Sequence, residues 1–276
     1  MKSTVTPALP LPRLVATDLD GTLLRSDLTI SPFTGRVLRE LEDHAVHVLF
    51  VTARPPRWMD PLADAVGRHG SAICLNGGMV YDFETGGASE VRGFSEPDFV
   101  KIVADLRAAL PRIAFASERP TGAVFDPHFH TDKSYGSESF FAPVETALDA
   151  PVGKLLARHP GLKDEEFFKI IDDIVGSRAH LAYSGAHGLA ELSPPGVTKA
   201  AALANWASKH GISPSEVWAF GDMPNDIPML KWAGVGIAVS NAHPDAKAAA
   251  DRQTLSNDED GVAVALERVV ERLRVG

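Results

Sequence analysis

The chain has 276 residues, a net charge of −9 at pH 7, 45% hydrophobic residues and 23% charged residues. The length suits two domains, and the composition is that of a soluble globular protein. The acidic balance argues against a nucleic-acid partner, since there is no excess of Lys and Arg to replace the counterions of a phosphate backbone.

The first part of the chain alternates apolar runs with amphipathic segments. Ser31 and Pro32 predict the start of a helix, because Ser caps helices and Pro is tolerated at their first position. A second helix is predicted from Pro56 to His69. This alternation predicts a parallel sheet with right-handed crossovers. The runs that predict its strands are Arg13–Asp18, Val46–Val51 and Ala72–Leu75.

The middle of the chain is less regular. Short strands are predicted at Val91–Phe94 and Ile113–Ala116, and a helix is predicted over Pro97–Leu110. The mixed acidic and apolar stretch Glu165–Val175 leaves helix and strand open. Turn-forming residues bracket this block, and we interpret residues 83–192 as an inserted α+β domain.

Alternation returns after the block. A helix is predicted over Lys199–His210, strands over Val217–Phe220 and Val235–Val239, and an amphipathic helix at the end of the chain. The fold is therefore predicted as α/β. Residues 1–82 and 193–276 form a Rossmann-like three-layer α/β/α core with a mostly parallel sheet, and residues 83–192 form a cap.

The cysteine content and the lengths of the hydrophobic runs indicate the cellular compartment of the protein. Cys74 is the single cysteine, so no disulfide forms within the chain, and its apolar surroundings predict burial. No apolar run is long enough to cross a bilayer, and Met1–Pro12 is expected to be a loose tail rather than a signal peptide. We expect a cytoplasmic protein without a membrane partner, and the sequence leaves monomer or small homo-oligomer open.

Acidic residues follow predicted strands near both ends of the chain. Asp18 and Asp20 come directly after the first strand, and Gly21 lets the chain turn away from them. Asp222 follows a later strand. In open α/β sheets, ligands bind beyond the carboxyl ends of the strands. Carboxylates gathered there repel one another unless a cation binds them, and an all-oxygen site suits Mg²⁺.

This pattern favours phosphoryl transfer. A carboxylate can attack phosphorus when a metal ion and a lysine neutralise the phosphoryl oxygens, and Lys199 is placed to open a helix there. A second carboxylate two residues on would act as general acid and then as general base. Thr52, at the end of a strand, would donate a hydrogen bond to a phosphoryl oxygen.

Four motifs, in order, resemble those of the haloacid dehalogenase superfamily of phosphatases, in its Cof-type branch with a large α/β cap. The first three are Asp18-Leu-Asp-Gly-Thr-Leu-Leu24, Thr52-Ala-Arg54 and Lys199 within Gly196-Val-Thr-Lys199. The fourth is Gly221-Asp-Met-Pro-Asn-Asp226. The match spans nearly the whole predicted core.

The resemblance implies an aspartyl-phosphate mechanism. Asp18 would be the nucleophile and a Mg²⁺ ligand, and Asp222 a second direct ligand. Asp20 would be the acid/base and would bind the metal through its backbone carbonyl. Asn225 and Asp226 would lie around the metal site, where they would orient the ligands and Lys199.

Four residues are candidates for binding the substrate phosphate: Thr52, Lys199, Arg54 and Asn76. Each of three also has a structural interpretation, since Thr52 would cap a helix, Lys199 would face solvent and Asn76 would form a turn. Ala53 stands where the family usually has Gly, and Pro55 and Pro56 stiffen the loop, which leaves the reach of Arg54 open.

We therefore expect a Mg²⁺-dependent phosphatase of a small phosphorylated metabolite, such as a sugar phosphate or a phosphorylated cofactor. The cap would exclude water and supply specificity. Two alternatives remain, namely a phosphomutase of the same superfamily and a non-catalytic protein that binds a phosphorylated ligand. The latter would be expected to have lost Asp18 or Asp20, and both are present.

Overall fold

The computed structural model describes residues 9–63, 70–130 and 138–275, which form two sheets flanked by helices. The strands of the first sheet are β1 (Leu14–Thr17), β2 (His47–Val51), β3 (Ser71–Cys74), β4 (Met79–Asp82), β5 (Gly87–Val91), β12 (Val217–Gly221), β13 (Val235–Ala238) and β14 (Arg252–Gln253). They lie in the order β14-β13-β12-β1-β2-β3-β4-β5.

Helices cover both faces of this sheet, because its strands alternate their side chains between two apolar cores. Val15 packs on the side of α1 (Pro32–Asp43) and α7 (Gly261–Leu273). Its neighbours in β1, Leu14 and Ala16, pack on the other side, against α4 (Lys199–Lys209) and α5 (Ile227–Trp232). A further short helix, α6, spans Pro244–Ala249. The predicted three-layer core with a mostly parallel sheet is confirmed.

The strands of the second sheet are β6 (Ala114–Arg119), β7 (Gly122–Phe125), β8 (Phe140–Phe141), β9 (Lys154–Arg158), β10 (His180–Ala182) and β11 (Ala190–Ser193). They lie in the order β10-β11-β9-β6-β7-β8, and all but the β7–β8 pair are antiparallel. Helices α2 (Glu96–Ala109) and α3 (Asp164–Val175) pack on one face of this sheet.

Some sequence predictions need correction. Of the predicted strand Val91–Phe94, only Val91 is in a strand. It is the last residue of β5, which is the segment that pairs with β4. The ambiguous stretch from Glu165 is helical, as part of α3. The predicted helix at Pro56 begins instead as two 3₁₀ turns, Pro56–Trp58 and Asp60–Leu62, and its end at residues 64–69 lies outside the described residues.

The strand order brings the candidate site residues to one edge. β12, β1, β2 and β3 are adjacent and parallel, so their carboxyl ends meet at the same side of the sheet. Asp222, Asp18, Thr52 and Asn76 follow these four strands. β5 belongs to this sheet although it lies within the predicted insert, and the division at residues 82 and 193 stays a prediction. Throughout the described ranges, every helix is too short or too polar to span a bilayer.

Glu42 on α1 makes stability depend on pH. Burial raises its pKa from the usual 4.5 to about 7, and Asp43 adds to the shift. The folded protein therefore keeps this proton to a higher pH than the unfolded chain, and stability falls as pH rises from about 4.5 to about 7.

We predict that Glu42→Gln stabilises the protein above pH 7 and has no effect near pH 4. The gain should be on the order of 1 kcal/mol, because water screens this half-buried side chain. Urea unfolding at both pH values measures it, with Glu271→Gln on the exposed face of α7 as the control. An equal effect of Glu42→Gln at both pH values would contradict this.

Candidate functional site

Lys199 joins two buried carboxylates at the edge of the first sheet. Its Nζ atom donates to Oδ1 of Asp18 and to Oδ1 of Asp226, at 2.6 Å in each case. All three side chains are buried. Thr198 caps α4 by accepting a hydrogen bond from the backbone N–H of Ala201, which fixes the start of the helix from which Lys199 extends. The ammonium group thus holds the ends of β1 and β12 together.

Asp222 lies beside this pair. Its Oδ1 accepts a hydrogen bond of 2.8 Å from the buried Thr22 hydroxyl. Gly21 has φ +75°, as its predicted turn requires, and a Cβ atom there would stand 2.5 Å from Oδ2 of Asp222. The turn within the first motif therefore leaves room for the Asp222 carboxylate only because residue 21 has no side chain.

Asp226 positions its neighbours. Its Oδ2 accepts hydrogen bonds of 3.0 Å from the backbone N–H groups of Asp222 and Met223, while its Oδ1 binds Lys199. Both oxygens are therefore used within the protein. These contacts fix the Asp222 loop and the lysine, and the place of Asp226 around a metal site stays a prediction.

The carboxylates raise one another's pKa. Burial raises the pKa of Asp18 well above its usual value, and the Asp226 and Asp222 charges add to the rise, whereas Lys199 opposes it. Burial and the Asp226 charge also raise the pKa of Asp222 to about 6. Burial disfavours the charge of Lys199, yet the two carboxylates hold its pKa above the usual range. The site has more negative charge than one lysine balances.

This donor set fits a hard divalent cation. Carboxylate oxygens of Asp18, Asp222 and Asp226 lie within 4.8 Å of one another. Because both Asp226 oxygens already accept hydrogen bonds, Asp18 and Asp222 are the carboxylates left to bind an ion. Oxygen ligands of this kind are those that Mg²⁺ prefers. Nearby, Oδ1 of Asn225 is buried and accepts no hydrogen bond from the described residues, so it is available to a metal-bound water. The Asp20 side chain is not part of this carboxylate cluster, and the metal contact through its backbone carbonyl stays a prediction.

Asp20 is held by Arg54. Nε and one terminal nitrogen of the guanidinium each donate to one Asp20 oxygen, at 2.6 Å. Such a two-point contact fixes the plane of a carboxylate. Ala53 and the two prolines after Arg54 do not keep Arg54 from the site. Its predicted contact with the substrate phosphate stays a prediction.

Thr52 and Asn76 are buried, whereas Asp20 and Arg54 are partly or fully exposed. The Thr52 hydroxyl accepts a hydrogen bond of 3.1 Å from the Arg54 backbone N–H and donates none to the described residues, so its proton is available. Asn76 has φ 56°, the left-handed conformation of a turn residue. Its side chain donates to Glu191 at 2.9 Å and accepts from Asn225 at 3.2 Å. Asn76 thus connects the site to the second sheet.

The second sheet adds charged residues that the sequence analysis missed. Lys154 donates to Glu191 at 2.6 Å and to the Ala53 carbonyl at 2.9 Å. Burial disfavours the charge of Glu191, yet the pairing with Lys154 holds its pKa below the usual value. On the same side, Arg57 pairs with Glu118. The sequence does carry a signal for Lys154 and Glu191. Each is a charged residue in an otherwise apolar run, as in Lys154-Leu-Leu-Ala and Ala190-Glu-Leu.

A cavity of about 310 Å³ lies between the two sheets. The sequence-predicted residues Asp18, Asp20, Arg54, Lys199 and Asn225 line it. Thr52, Asn76, Asp222 and Asp226 are not among the residues that line it, and Asn76 and Asp226 are hydrogen-bonded to two that do, Asn225 and Lys199. The second sheet closes the opposite side, chiefly with Glu118, Phe125, Phe129, Lys154, Leu156, Arg158, Leu189 and Glu191.

Comparisons with known proteins find similar sequences along most of the chain. A sequence model of the family described as haloacid dehalogenase-like hydrolase matches residues 15–266. The 5-amino-6-(5-phospho-D-ribitylamino)uracil phosphatase YcsE of Bacillus subtilis is 27% identical over 261 residues, which cover 92% of this chain and 94% of that protein. The pyridoxal phosphate phosphatase YbhA of Escherichia coli is 28% identical over 264 residues, which cover 91% and 96%.

The fold also recurs among solved structures. SMU.1108c from Streptococcus mutans UA159 superposes with a TM-score of 0.83 at 22% identity, over 94% of this chain and 99% of that one. The likeness covers both sheets, so the second sheet is part of a fold that the two proteins share.

We predict that Lys199→Met destabilises the protein by about 3–5 kcal/mol at pH 8, because it leaves two buried carboxylates without their counter-charge. The loss should shrink at pH 5, where the folded variant takes up protons on these carboxylates. Urea unfolding at both pH values measures the effect.

Lys209→Met is the matched control, since Lys209 is on the same helix and its pair with Glu90 is half-exposed. It should change stability by less than about 0.5 kcal/mol. Equal effects of the two substitutions would contradict the assigned role of Lys199.

Proposed function

This chain belongs to the haloacid dehalogenase-like hydrolase family and is a phosphoric monoester hydrolase, and from that premise we propose its mechanism and substrate class. It hydrolyses a small phosphorylated metabolite with Mg²⁺, through a phosphorylated Asp18. The similar proteins YcsE and YbhA are named as phosphatases of small phosphorylated metabolites, which supports this substrate class.

The position of Asp18 is the main support for this proposal. Asp18 is the buried carboxylate that both lines the cavity and contacts Lys199, with Asp222 beside it. A purely structural ion pair would not need a third buried carboxylate at the same point. The excess negative charge would bind a cation, and that cation would in turn bind a phosphoryl group at this end of the cavity.

In the first step, the Asp18 carboxylate attacks phosphorus. A bond forms between an Asp18 oxygen and phosphorus, and the bond from phosphorus to the substrate oxygen breaks. Asp20 gives a proton to the departing oxygen. Lys199 and the Thr52 hydroxyl neutralise and orient the phosphoryl oxygens. Bound Mg²⁺ would be held by Asp18, Asp222 and the Asp20 carbonyl, and would offset the negative charge on the phosphoryl group.

In the second step, water attacks the same phosphorus. Asp20, now ionised, takes a proton from that water, and the bond between phosphorus and Asp18 breaks. Inorganic phosphate leaves and Asp18 is regenerated. Arg54 holds the ionised form of Asp20 between the two steps, because both guanidinium donors point to its oxygens.

The second sheet serves as the cap. We assign residues 1–82 and 193–276 to the catalytic core and residues 83–192 to the cap, with β5 joining the core sheet from within the insert. The cap covers the cavity and excludes bulk water from the phosphorylated aspartate. The contacts of Lys154 with Ala53 and of Asn76 with Glu191 hold the two parts together.

We predict that Asp18→Asn lowers turnover of a generic aryl phosphate by at least about 10³-fold, since an amide is not a nucleophile toward phosphorus. Turnover by the native protein should be lost in EDTA and restored by Mg²⁺. Phosphate release measures both effects, and Asp245→Asn on the exposed end of α6 is the control. Near-normal turnover of Asp18→Asn, at an unchanged melting temperature, would rule out the covalent step.

We predict that Arg54→Ala lowers kcat/KM by about 10- to 100-fold, because Asp20 loses its fixed orientation. The loss should be larger for alkyl phosphates than for nitrophenyl phosphate, whose leaving group needs little protonation. Arg274→Ala, a surface arginine paired with Glu40, is the control. An equal loss for both leaving groups would assign Arg54 to phosphate binding instead.

A further inference from the structure

Among the described residues, helices pack on one face of the cap sheet, and the other face is turned to the cavity. Along β9, Leu155 and Ala157 pack toward α2 and α3, while the alternate residues Lys154, Leu156 and Arg158 line the cavity. The same alternation holds in β6 and β11, where Phe115 and Ala190 point to the helices. The residues on the other face are therefore placed to meet a ligand.

Charged residues on this face are engaged with one another. Lys154 and Glu191 form a buried pair, and the Ser184 hydroxyl donates to the same Glu191. Glu118 is paired with Arg57 through both of its oxygens. These pairs stand close to the core, where Lys154 reaches the Ala53 carbonyl. A polyhydroxylated ligand would have to break such pairs to find hydrogen-bond partners.

Farther from the core, the same face has an apolar patch, with Arg158 next to it. Phe125 and Phe129 lie with ring centroids 5.8 Å apart, and Leu156 and Leu189 pack against their cluster. Register places Leu156 opposite Ala116 and Ala116 opposite Phe125, so these side chains form one continuous patch. Trp58 and Met223 of the core also line the cavity. The wall therefore changes from charged near Asp18 to aromatic and aliphatic beyond it.

Two arginines, Arg57 and Arg158, line the cavity. Nε of each is buried and has no hydrogen-bond partner among the described residues. The volume of about 310 Å³ is at the lower end for small-molecule sites and suits a phosphate with one ring system.

We propose that the substrate is a phosphate monoester whose organic part is a single flat aromatic or heteroaromatic ring with a hydrogen-bond acceptor, rather than a sugar. The inference rests on the proposed function and names the substrate class of that same site. The phosphate lies at Asp18, and the ring lies against Phe129 and Leu156, where aromatic stacking and apolar contact favour it. The guanidinium group of Arg158, which lines the cavity, donates to the acceptor atom of the ring.

Three esters of primary alcohols test this choice with leaving groups of one kind: pyridin-3-ylmethyl phosphate, cyclohexylmethyl phosphate and glucose 6-phosphate. We expect kcat/KM to be highest for the pyridine ester and at least about tenfold lower for glucose 6-phosphate. The saturated ring should fall between them, since it keeps the apolar contact and loses stacking and the acceptor.

Two cap variants test the wall itself. Leu156→Asn and Phe129→Leu should each lower the ratio of pyridine ester to glucose 6-phosphate by about tenfold. Phe168→Leu is the matched control, since Phe168 packs on the helix side of the cap sheet, and it should leave that ratio unchanged. Melting temperatures identify a variant that fails to fold, and the other variant then carries the test.

The outcomes separate the two proposals. Preference for glucose 6-phosphate, or an unchanged ratio in both folded variants, overturns the assignment of an aromatic substrate and leaves the phosphatase mechanism standing. Absence of turnover for all three esters and for acetyl phosphate, with Mg²⁺ present, overturns the proposed mechanism and this inference with it.

Discussion

The contact of Lys199 with Asp18 and Asp226 is the interaction on which the site depends. Lys199 lies 181 positions after Asp18 and 27 positions before Asp226 in the chain, and all three residues are buried. Buried charges are tolerated only when they are paired, so the start of α4 and the ends of β1 and β12 must meet at this point. The fold thereby delivers a carboxylate to the cavity with its counter-charge already in place, and the remaining negative charge of Asp222 favours a cation beside it.

The cap follows a different constraint. In the described part of the chain, helices α2 and α3 cover one face of its sheet, so the alternate residues of its strands must either face solvent or cover the core. Here the charged ones, Lys154 and Glu191, bind each other and the core, and the apolar ones, Leu156 and Phe125, form part of the far wall of the cavity. The same alternation that builds the sheet therefore divides the cavity into a charged end and an apolar end.

Sequence alone predicted the core well because its signals are local. Asp18, Gly21 and Asp222 follow apolar runs, and the order of these runs fixes the parallel sheet. The cap was predicted poorly, because its short antiparallel strands pair over long distances, as β6 does with β9. The pairing of Lys154 with Glu191 could not be predicted, since only the fold shows that two isolated charges in apolar strands face each other. Similarly, the motif containing Arg54 gave no sign that its guanidinium holds Asp20.

The most direct test of the central claim is to trap the phosphorylated form of Asp18. Protein mixed with Mg²⁺ and a turned-over phosphate ester is quenched in acid within one turnover, digested and analysed by mass spectrometry. The account predicts one added phosphoryl group on the peptide that contains Asp18, and none on the corresponding peptide of the Asp18→Asn variant. Phosphate release within the first turnover, with no phosphoryl group on that peptide at any quench time, would contradict it.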